Sequence, residues 1–109
     1  MPTTSRREKI ETMLAEEPGD AFLRYSLAVE LDKEGQHDAS LAQFRGLMTD
    51  ERPYVAAFFM AAQQLARLSR VPEARTALRD GIEEARRQGD LHAAGEMAEF
   101  LAGLGQAGE

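Results

Sequence analysis

The feature of this sequence that most restricts its fold is an apolar pattern that repeats at an offset of 34 residues. At that offset Ile10, Phe44 and Leu78 align with one another. Further aligned positions agree in size and character: Met13, Leu47 and Gly81; Leu14, Met48 and Ile82; Leu27 and Ala61; Ala28 and Ala62; Leu31 and Leu65; Ser40 and Ala74. Self-similarity at a fixed period indicates stacked repeats, each of which buries its apolar face against the next.

The segments within this pattern are helical in character. β-branched residues are few and nowhere alternate with polar residues over a run, so strand signals are nearly absent. Six helices are predicted, at residues 6–16, 21–34, 38–51, 54–69, 72–88 and 90–103. The tail, residues 104–109, is predicted to be flexible because it is rich in glycine, a poor helix former. Short connections predict that consecutive helices pack antiparallel.

Capping and turn residues set these boundaries. Ser5 followed three residues later by Glu8 has the spacing of a capping box. Gly35 suits the left-handed residue that closes a helix. Pro53 is predicted to end the third helix, because a proline disfavours helical geometry at the residue before it, here Arg52.

Composition excludes several functional classes. The 109 residues are 43% hydrophobic and predict one domain over residues 1–109. The chain has no cysteine, which excludes disulfides and thiolate chemistry. Its net charge of −6 argues against nucleic-acid binding, which needs a basic face. Without a long apolar run or an apolar signal core, the expected location is the cytoplasm, with no membrane partner.

Residue arrangements typical of catalytic, metal-binding or phosphate-binding sites are also missing from the sequence. The two histidines, His37 and His92, have no partner at metal-ligand spacing. No serine lies in a Gly-x-Ser-x-Gly elbow, and the glycines do not cluster as a phosphate loop. Paired carboxylates such as Glu16 and Glu17 are expected to be solvated at helix ends. We therefore expect no enzyme activity, no metal site and no cofactor.

The 34-residue helix–turn–helix unit resembles the tetratricopeptide repeat (TPR), whose pattern runs large residue, Leu-Gly, Tyr, Ala, Phe, Pro. The first full unit matches at Leu27-Ala28, Leu31, Gly35, Ser40, Phe44, Leu47 and Pro53. The second matches at Phe58, Ala61-Ala62, Leu65, Ala74, Leu78 and Gly81. The flanking half-units match at Ile10, Met13-Leu14 and Pro18, and at Leu91, Ala94-Gly95, Ala98 and Leu101.

This resemblance covers residues 6–103 and implies an all-α, TPR-like right-handed helical solenoid. It would contain about six antiparallel helices: a half-repeat, two full repeats and a C-terminal half-repeat that serves as a cap. Small residues are expected where paired helices cross, at Ala28, Ser40, Ala62, Ala74 and Gly95. An unrelated six-helix bundle is the alternative.

The sequence departs from the family pattern at several places. Arg24 stands where the family prefers a large apolar residue, and Ser69 replaces the inter-helix glycine of the second unit. Pro53 comes one residue late, and the last half-unit is one residue short.

The resemblance also implies a function, because TPR proteins use the first helix of each unit to line a concave groove that holds a partner segment. The candidate groove residues are Phe22, Tyr25 and Val29, then Phe59, Gln63 and Arg67, then His92 and Glu96, with Lys33 and Phe100 as further candidates. In this interpretation Phe58 belongs to the core and Phe59 to the groove. The family's clamp for chaperone carboxylate tails is missing, since its positions hold Tyr25, Val29, Met60, Gly89 and Ala93.

The leading hypothesis is therefore a protein–protein interaction module that binds a peptide or helix of a partner protein in this groove. The alternative is a homodimeric structural or assembly protein, which would bury the same apolar surface against a second copy.

Overall fold

The computed structural model describes the backbone of residues 5–108 and the side chains of residues 5–105. This part of the chain contains six helices and no strand: α1 (Arg6–Glu16), α2 (Ala21–Lys33), α3 (His37–Met48), α4 (Val55–Arg67), α5 (Val71–Arg87) and α6 (Leu91–Gly108). The predicted all-α class and the six helices are confirmed. The chain divides into two compact units, one up to Arg52 and one from Pro53 onward.

Helix starts and ends have the predicted local structures at several places. The capping box at α1 is formed, with the Glu8 amide donating to Ser5 Oγ and the Ser5 amide donating to Glu8 Oε1, each at 3.1 Å. Gly35 and Gly89 adopt φ values of 80° and 79°, and Ser69 adopts 63°. Ser69 thus takes the left-handed conformation of the glycine that it replaces, which an L side chain rarely adopts.

The third helix ends earlier than predicted, and Pro53 is not what ends it. α3 stops at Met48, and the hydroxyl of Thr49 turns back to donate to the Arg45 carbonyl at 2.9 Å. Asp50 is held by Arg24, whose Nη1 lies 2.6 Å from Asp50 Oδ2. The predicted extension through residue 51 was wrong because this ion pair takes Asp50 off the helical path.

The last helix runs further than predicted. α6 continues to Gly108, so the predicted end at residue 103 and the flexible tail were wrong for residues 104–108, while Glu109 lies outside the described residues. Each glycine costs about 1 kcal/mol relative to alanine within a helix. Leu104 is half-buried, and Arg75 Nη2 donates to the Leu104 carbonyl at 3.2 Å. A cation near the carboxyl end of a helix is stabilising.

In the unit that contains α1, α2 and α3, the core forms chiefly between α2 and α3. Phe44 and Leu47 have no exposed surface. Ser40 is equally buried, and its hydroxyl donates to the Ala28 carbonyl at 2.6 Å across the helix pair. A larger residue at either position would separate the two helices. The burial of Ala28 and Ser40 at this crossing confirms the prediction of small residues there.

The first helix adds little apolar surface to this unit. Ile10 is its one buried residue among those described, and it packs with Leu27 and Leu31 of α2. Ion pairs add to the contact, since Arg6 Nε lies 2.7 Å from Glu30 Oε1 and Arg7 Nε lies 2.9 Å from Glu34 Oε1. α1 thus contacts α2 through Ile10, with Leu14 packed against the same cluster, and through two ion pairs at its surface.

In the unit that contains α4, α5 and α6, three helices meet at Gly81 of α5. A Cβ atom on Gly81 would lie 2.5 Å from Cβ of Phe58 and 2.6 Å from Sδ of Met97. Phe58 is 5% exposed, which confirms its predicted place in the core. Of the crossing residues predicted here, Ala62 and Ala74 are fully buried, whereas Gly95 is exposed and the prediction was wrong there. An added Cβ at Gly95 would have no neighbour within 4 Å, so no helix crosses at that residue.

The departure from the repeat pattern at Arg24 has a structural reason. Besides its 2.6 Å contact, the guanidinium donates from Nη2 to Asp50 Oδ1 at 3.3 Å, which makes the ion pair bidentate. The same Nη2 would lie 3.1 Å from a Cβ atom at Gly46 of α3. The long polar side chain of Arg24 therefore fits because Gly46 leaves space beside α2 and Asp50 supplies the counter-charge.

Candidate functional site

The candidate site is a cleft of about 470 Å³ between α4 and α6, called the α4–α6 cleft below. Phe59 of α4 lines one side, and the other lining residues come from α6: Glu96, Glu99, Phe100, Gly103 and Leu104. The α6 residues recur at intervals of three and four, so one face of that helix forms the wall.

Two aromatic rings form the apolar wall of the cleft. The ring centroids of Phe59 and Phe100 lie 5.6 Å apart with an interplanar angle of 73°. This is the edge-to-face arrangement that aromatic pairs prefer. Phe59 is half-buried while Phe58 beside it is buried, because adjacent residues of a helix point about 100° apart. The doubled phenylalanine therefore supplies one core residue and one cleft residue.

The α6 face of the cleft also carries two acidic residues. Glu96 and Glu99 are exposed and lie one helical turn apart on α6. His92 Nε2 lies 3.4 Å from Glu96 Oε1, and its side chain is 87% exposed, so this is a weak surface contact. Arg75 lies near Leu104, where its Nη2 donates to the backbone carbonyl.

The predicted groove residues of α2 lie in the other compact unit. Phe22 is 63% exposed. Tyr25 is half-buried and packs edge-to-face on Phe44, with centroids 5.9 Å apart at 64°. Val29 is half-buried as well, and Lys33 is exposed at the end of α2. Tyr25 thus also supports the α2–α3 core.

The structure brings together a subset of the predicted site residues. Phe59, Glu96 and the further candidate Phe100 meet in the α4–α6 cleft. Gln63 and Arg67 lie one and two turns beyond Phe59 on α4, half-buried and exposed respectively, and His92 reaches Glu96 from outside the lining set. The prediction of one groove that also includes α2 stays a prediction.

Sequence reasoning missed three lining residues: Glu99, Gly103 and Leu104. Glu99 could have been found, because it lies one turn after Glu96 on the same helix face. Gly103 and Leu104 could not, since the glycine-rich tail was predicted to leave the helix near that point.

Within residues 5–108 the structure offers no group of three or more His, Asp or Glu side chains that could hold a metal ion. Nor is any helix in this part of the chain both long and apolar enough to span a membrane.

Several proteins of known structure are similar to this chain. No protein-family model matches the sequence, and no curated protein does either. A tetratricopeptide repeat domain protein from Salinibacter ruber, known from a solution structure, is 30% identical with a TM-score of 0.75, and the alignment covers 80% of this chain and 88% of that one. A crystal structure of a tetratricopeptide repeat domain protein from the same organism is 29% identical, with a TM-score of 0.72 and coverage of 83% and 99%.

A Bordetella parapertussis protein of known solution structure is similar over more of the chain. It is 26% identical with a TM-score of 0.80, and the alignment covers 96% of this chain and 91% of that one. The 30% identity to the Salinibacter protein extends over four fifths of this chain, and the sequence repeat and the six helices are consistent with that relationship. This chain therefore belongs to the tetratricopeptide repeat family.

Proposed function

We propose that this chain is a non-enzymatic interaction module that binds a peptide or helix of a partner protein in the α4–α6 cleft. Its family is one of protein-interaction modules, which supports the general function. The observation that carries the specific site is the pair of aromatic rings, Phe59 and Phe100, beside a cleft of about 470 Å³.

A partner side chain that covers the two rings would gain free energy by removing their apolar surface from water. Binding hot spots are aromatic side chains in concave sites whose rims exclude water. Phe59 is half-buried and Phe100 likewise, so both rings retain apolar surface that a partner side chain can cover. Their mutual edge contact also holds the rings in place before binding, which lowers the entropy lost on association.

The experiment uses defined probes and a map of where they bind. The whole chain is used to select peptides from a random library displayed on phage, and enriched peptides are synthesised. Amide chemical-shift changes then locate them on the isotopically labelled protein. We expect the largest changes at Phe59, Phe100 and Leu104.

A pair of substitutions tests whether the ring at Phe59 carries the affinity. Phe59→Ala is expected to weaken peptide binding about 30-fold, the effect of a hot spot of ~2 kcal/mol. Leu91→Ala is the matched control, because Leu91 is 72% exposed on α6 and does not line the cleft. Circular dichroism checks that both variants remain helical. Equal binding by Phe59→Ala and the wild type would contradict the proposed site.

A further pair of substitutions tests the wider groove. If the predicted residues of α2 share the bound segment, Phe22→Ala and Tyr25→Ala will also weaken binding of the selected peptides. Unchanged affinity in both variants would restrict the site to the α4–α6 cleft.

Self-association is the second candidate function, and the exposure of Phe22 and Leu91 favours it. Isolated exposed apolar residues are common on monomers, so this observation is weaker than the cleft. Sedimentation equilibrium over a wide concentration range decides between the two. A dimer that dissociates in Leu91→Glu or Phe22→Glu would favour self-association, and a strict monomer would remove it.

A further inference from the structure

We propose that the segment bound in the α4–α6 cleft is cationic: a large apolar side chain flanked by arginine or lysine. This inference rests on the proposed function of the cleft and adds the chemistry of the partner. Its basis is that the same cleft combines an aromatic wall with two glutamates.

The aromatic wall sets the first requirement on the partner. Phe59, Phe100 and Leu104 present rings and aliphatic carbon to the cleft. A large apolar side chain gains most from covering that surface, because most polar groups placed there would lose hydrogen bonds to water. The volume of about 470 Å³ suits one or two large side chains.

The two carboxylates set the second requirement. Glu96 and Glu99 belong to the lining and are exposed, so a bound segment will lie within reach of both. Among the described residues, Glu99 has no cation within ion-pair distance, and the partner of Glu96 is the exposed imidazole of His92. Both carboxylates can therefore accept hydrogen bonds from a bound cation.

The cation Arg75 lies at one end of the cleft. Arg75 donates to the carbonyl of Leu104, which places its charge at the Leu104 end of the cleft. The net charge of the whole chain, −6, has the same sign as the two carboxylates. An anionic segment or a nucleic acid would approach against this field, whereas a cationic segment would be attracted by it.

The spacing of the carboxylates refines the partner further. Residues three apart on a helix have Cβ atoms about 5–6 Å apart, so Glu96 and Glu99 can bind one guanidinium together or two cations one turn apart. Arginine fits better than lysine, because its planar guanidinium forms bidentate hydrogen bonds with carboxylates and stacks on aromatic rings. We therefore expect arginine to exceed lysine beside the apolar residue.

The library selection described above tests this inference through the composition of the enriched peptides. The expected result is Phe, Leu, Trp or Met with Arg or Lys within a few residues, and binding that weakens as salt concentration rises. Enriched peptides that map to Phe59 and Phe100 but carry no excess of cations would overturn the inference while leaving the proposed function intact. Peptides that bind equally well to Phe59→Ala would instead count against the proposed function.

Charge-neutral variants provide the second readout. The double variant Glu96→Gln, Glu99→Gln is expected to bind the enriched peptides about three- to tenfold more weakly, with a smaller dependence on salt. The control is Glu16→Gln, Glu17→Gln, which makes the same chemical change at exposed residues at the end of α1. If both double variants lose the same affinity, net charge and not the cleft is responsible, and the inference fails. Unchanged binding by Glu96→Gln, Glu99→Gln also overturns it.

Discussion

Among the described glycines, Gly81 has the least space for an added methyl group. The space that a methyl group would need at Gly81 is already taken by Phe58 of α4 and Met97 of α6. Met97 could move its flexible side chain, but Cβ of Phe58 is tied to the α4 backbone. The sequence alone showed that residue 81 is small where Met13 and Leu47 align with it, but not that two helices approach it.

Gly81→Ala is therefore expected to destabilise the protein by about 1–3 kcal/mol through overpacking. The measurement is the free energy of unfolding from urea titration. Gly95→Ala is the matched control on α6, where an added Cβ has no neighbour within 4 Å. That variant is expected to gain up to ~1 kcal/mol from the better helix propensity of alanine. Equal effects of the two substitutions would contradict the packing described at Gly81.

At the scale of elements, a capping box holds the first turn of α1. The amide of Ser5 donates to the carboxylate of Glu8 and lowers the pKa of Glu8 below its ordinary value. A lowered pKa in the folded state means that the stabilisation is present above the unfolded pKa and is lost as the pH falls through the folded one. Acid is thus expected to loosen the first turn of α1.

Cα chemical shifts of residues 6–9, followed as the pH falls below about 4, measure this loss of helix. Glu8→Gln is the matched control, because glutamine completes a capping box without titrating in this range. We expect the first turn of the variant to change less with pH than that of the wild type. Identical titrations of the two proteins would show that the carboxylate of Glu8 does not hold the turn.

The end of α6 depends on a contact made by another helix. Arg75 of α5 donates to the Leu104 carbonyl, so Arg75→Ala is expected to speed amide hydrogen exchange in the last turns of α6 about two- to fivefold, corresponding to ~0.3–1 kcal/mol. Arg79→Ala, an exposed substitution one turn further along α5, is the control. Unchanged exchange in Arg75→Ala would indicate that packing of Leu104 alone maintains the helix.

These elements show which parts of the fold were predictable. The existence and order of all six helices followed from local signals, such as the capping box at Ser5 and the left-handed Gly35. Two of the helix ends did not, because Asp50 and Leu104 contact partners distant in sequence, Arg24 and Arg75. Local chemistry cannot indicate contacts between residues that lie 26 or more positions apart.

The candidate site divides in the same way. Phe59 and Glu96 were predicted from the repeat register, which determines which side of each helix faces the groove. Glu99 and Leu104 were missed, since the lining of the α4–α6 cleft depends on how far α6 extends. The repeat pattern thus placed Phe59 and Glu96 on the cleft side of their helices, while the extent of the cleft required the structure.

At the scale of the whole molecule, the negative net charge of this chain opposes binding of the acidic peptide tails that some TPR proteins bind. The clamp positions hold Tyr25, Val29, Met60, Gly89 and Ala93, and the net charge is −6. A peptide that ends in two acidic residues and a free carboxylate is therefore expected to give no measurable heat of binding in calorimetry. Low-micromolar affinity for such a peptide would contradict the acidic character assigned to the binding surface.

Arg24, Gly46 and Asp50 form a set whose consequence extends beyond this one protein. The guanidinium pairs with Asp50 and lies where a Cβ atom at residue 46 would contact it tightly, so the three residues constrain one another. We expect homologous chains to change them together over evolution. Lineages with an apolar residue at position 24 are expected to have lost both the glycine and the aspartate, and the intermediates that carry only part of the set are expected to be rare.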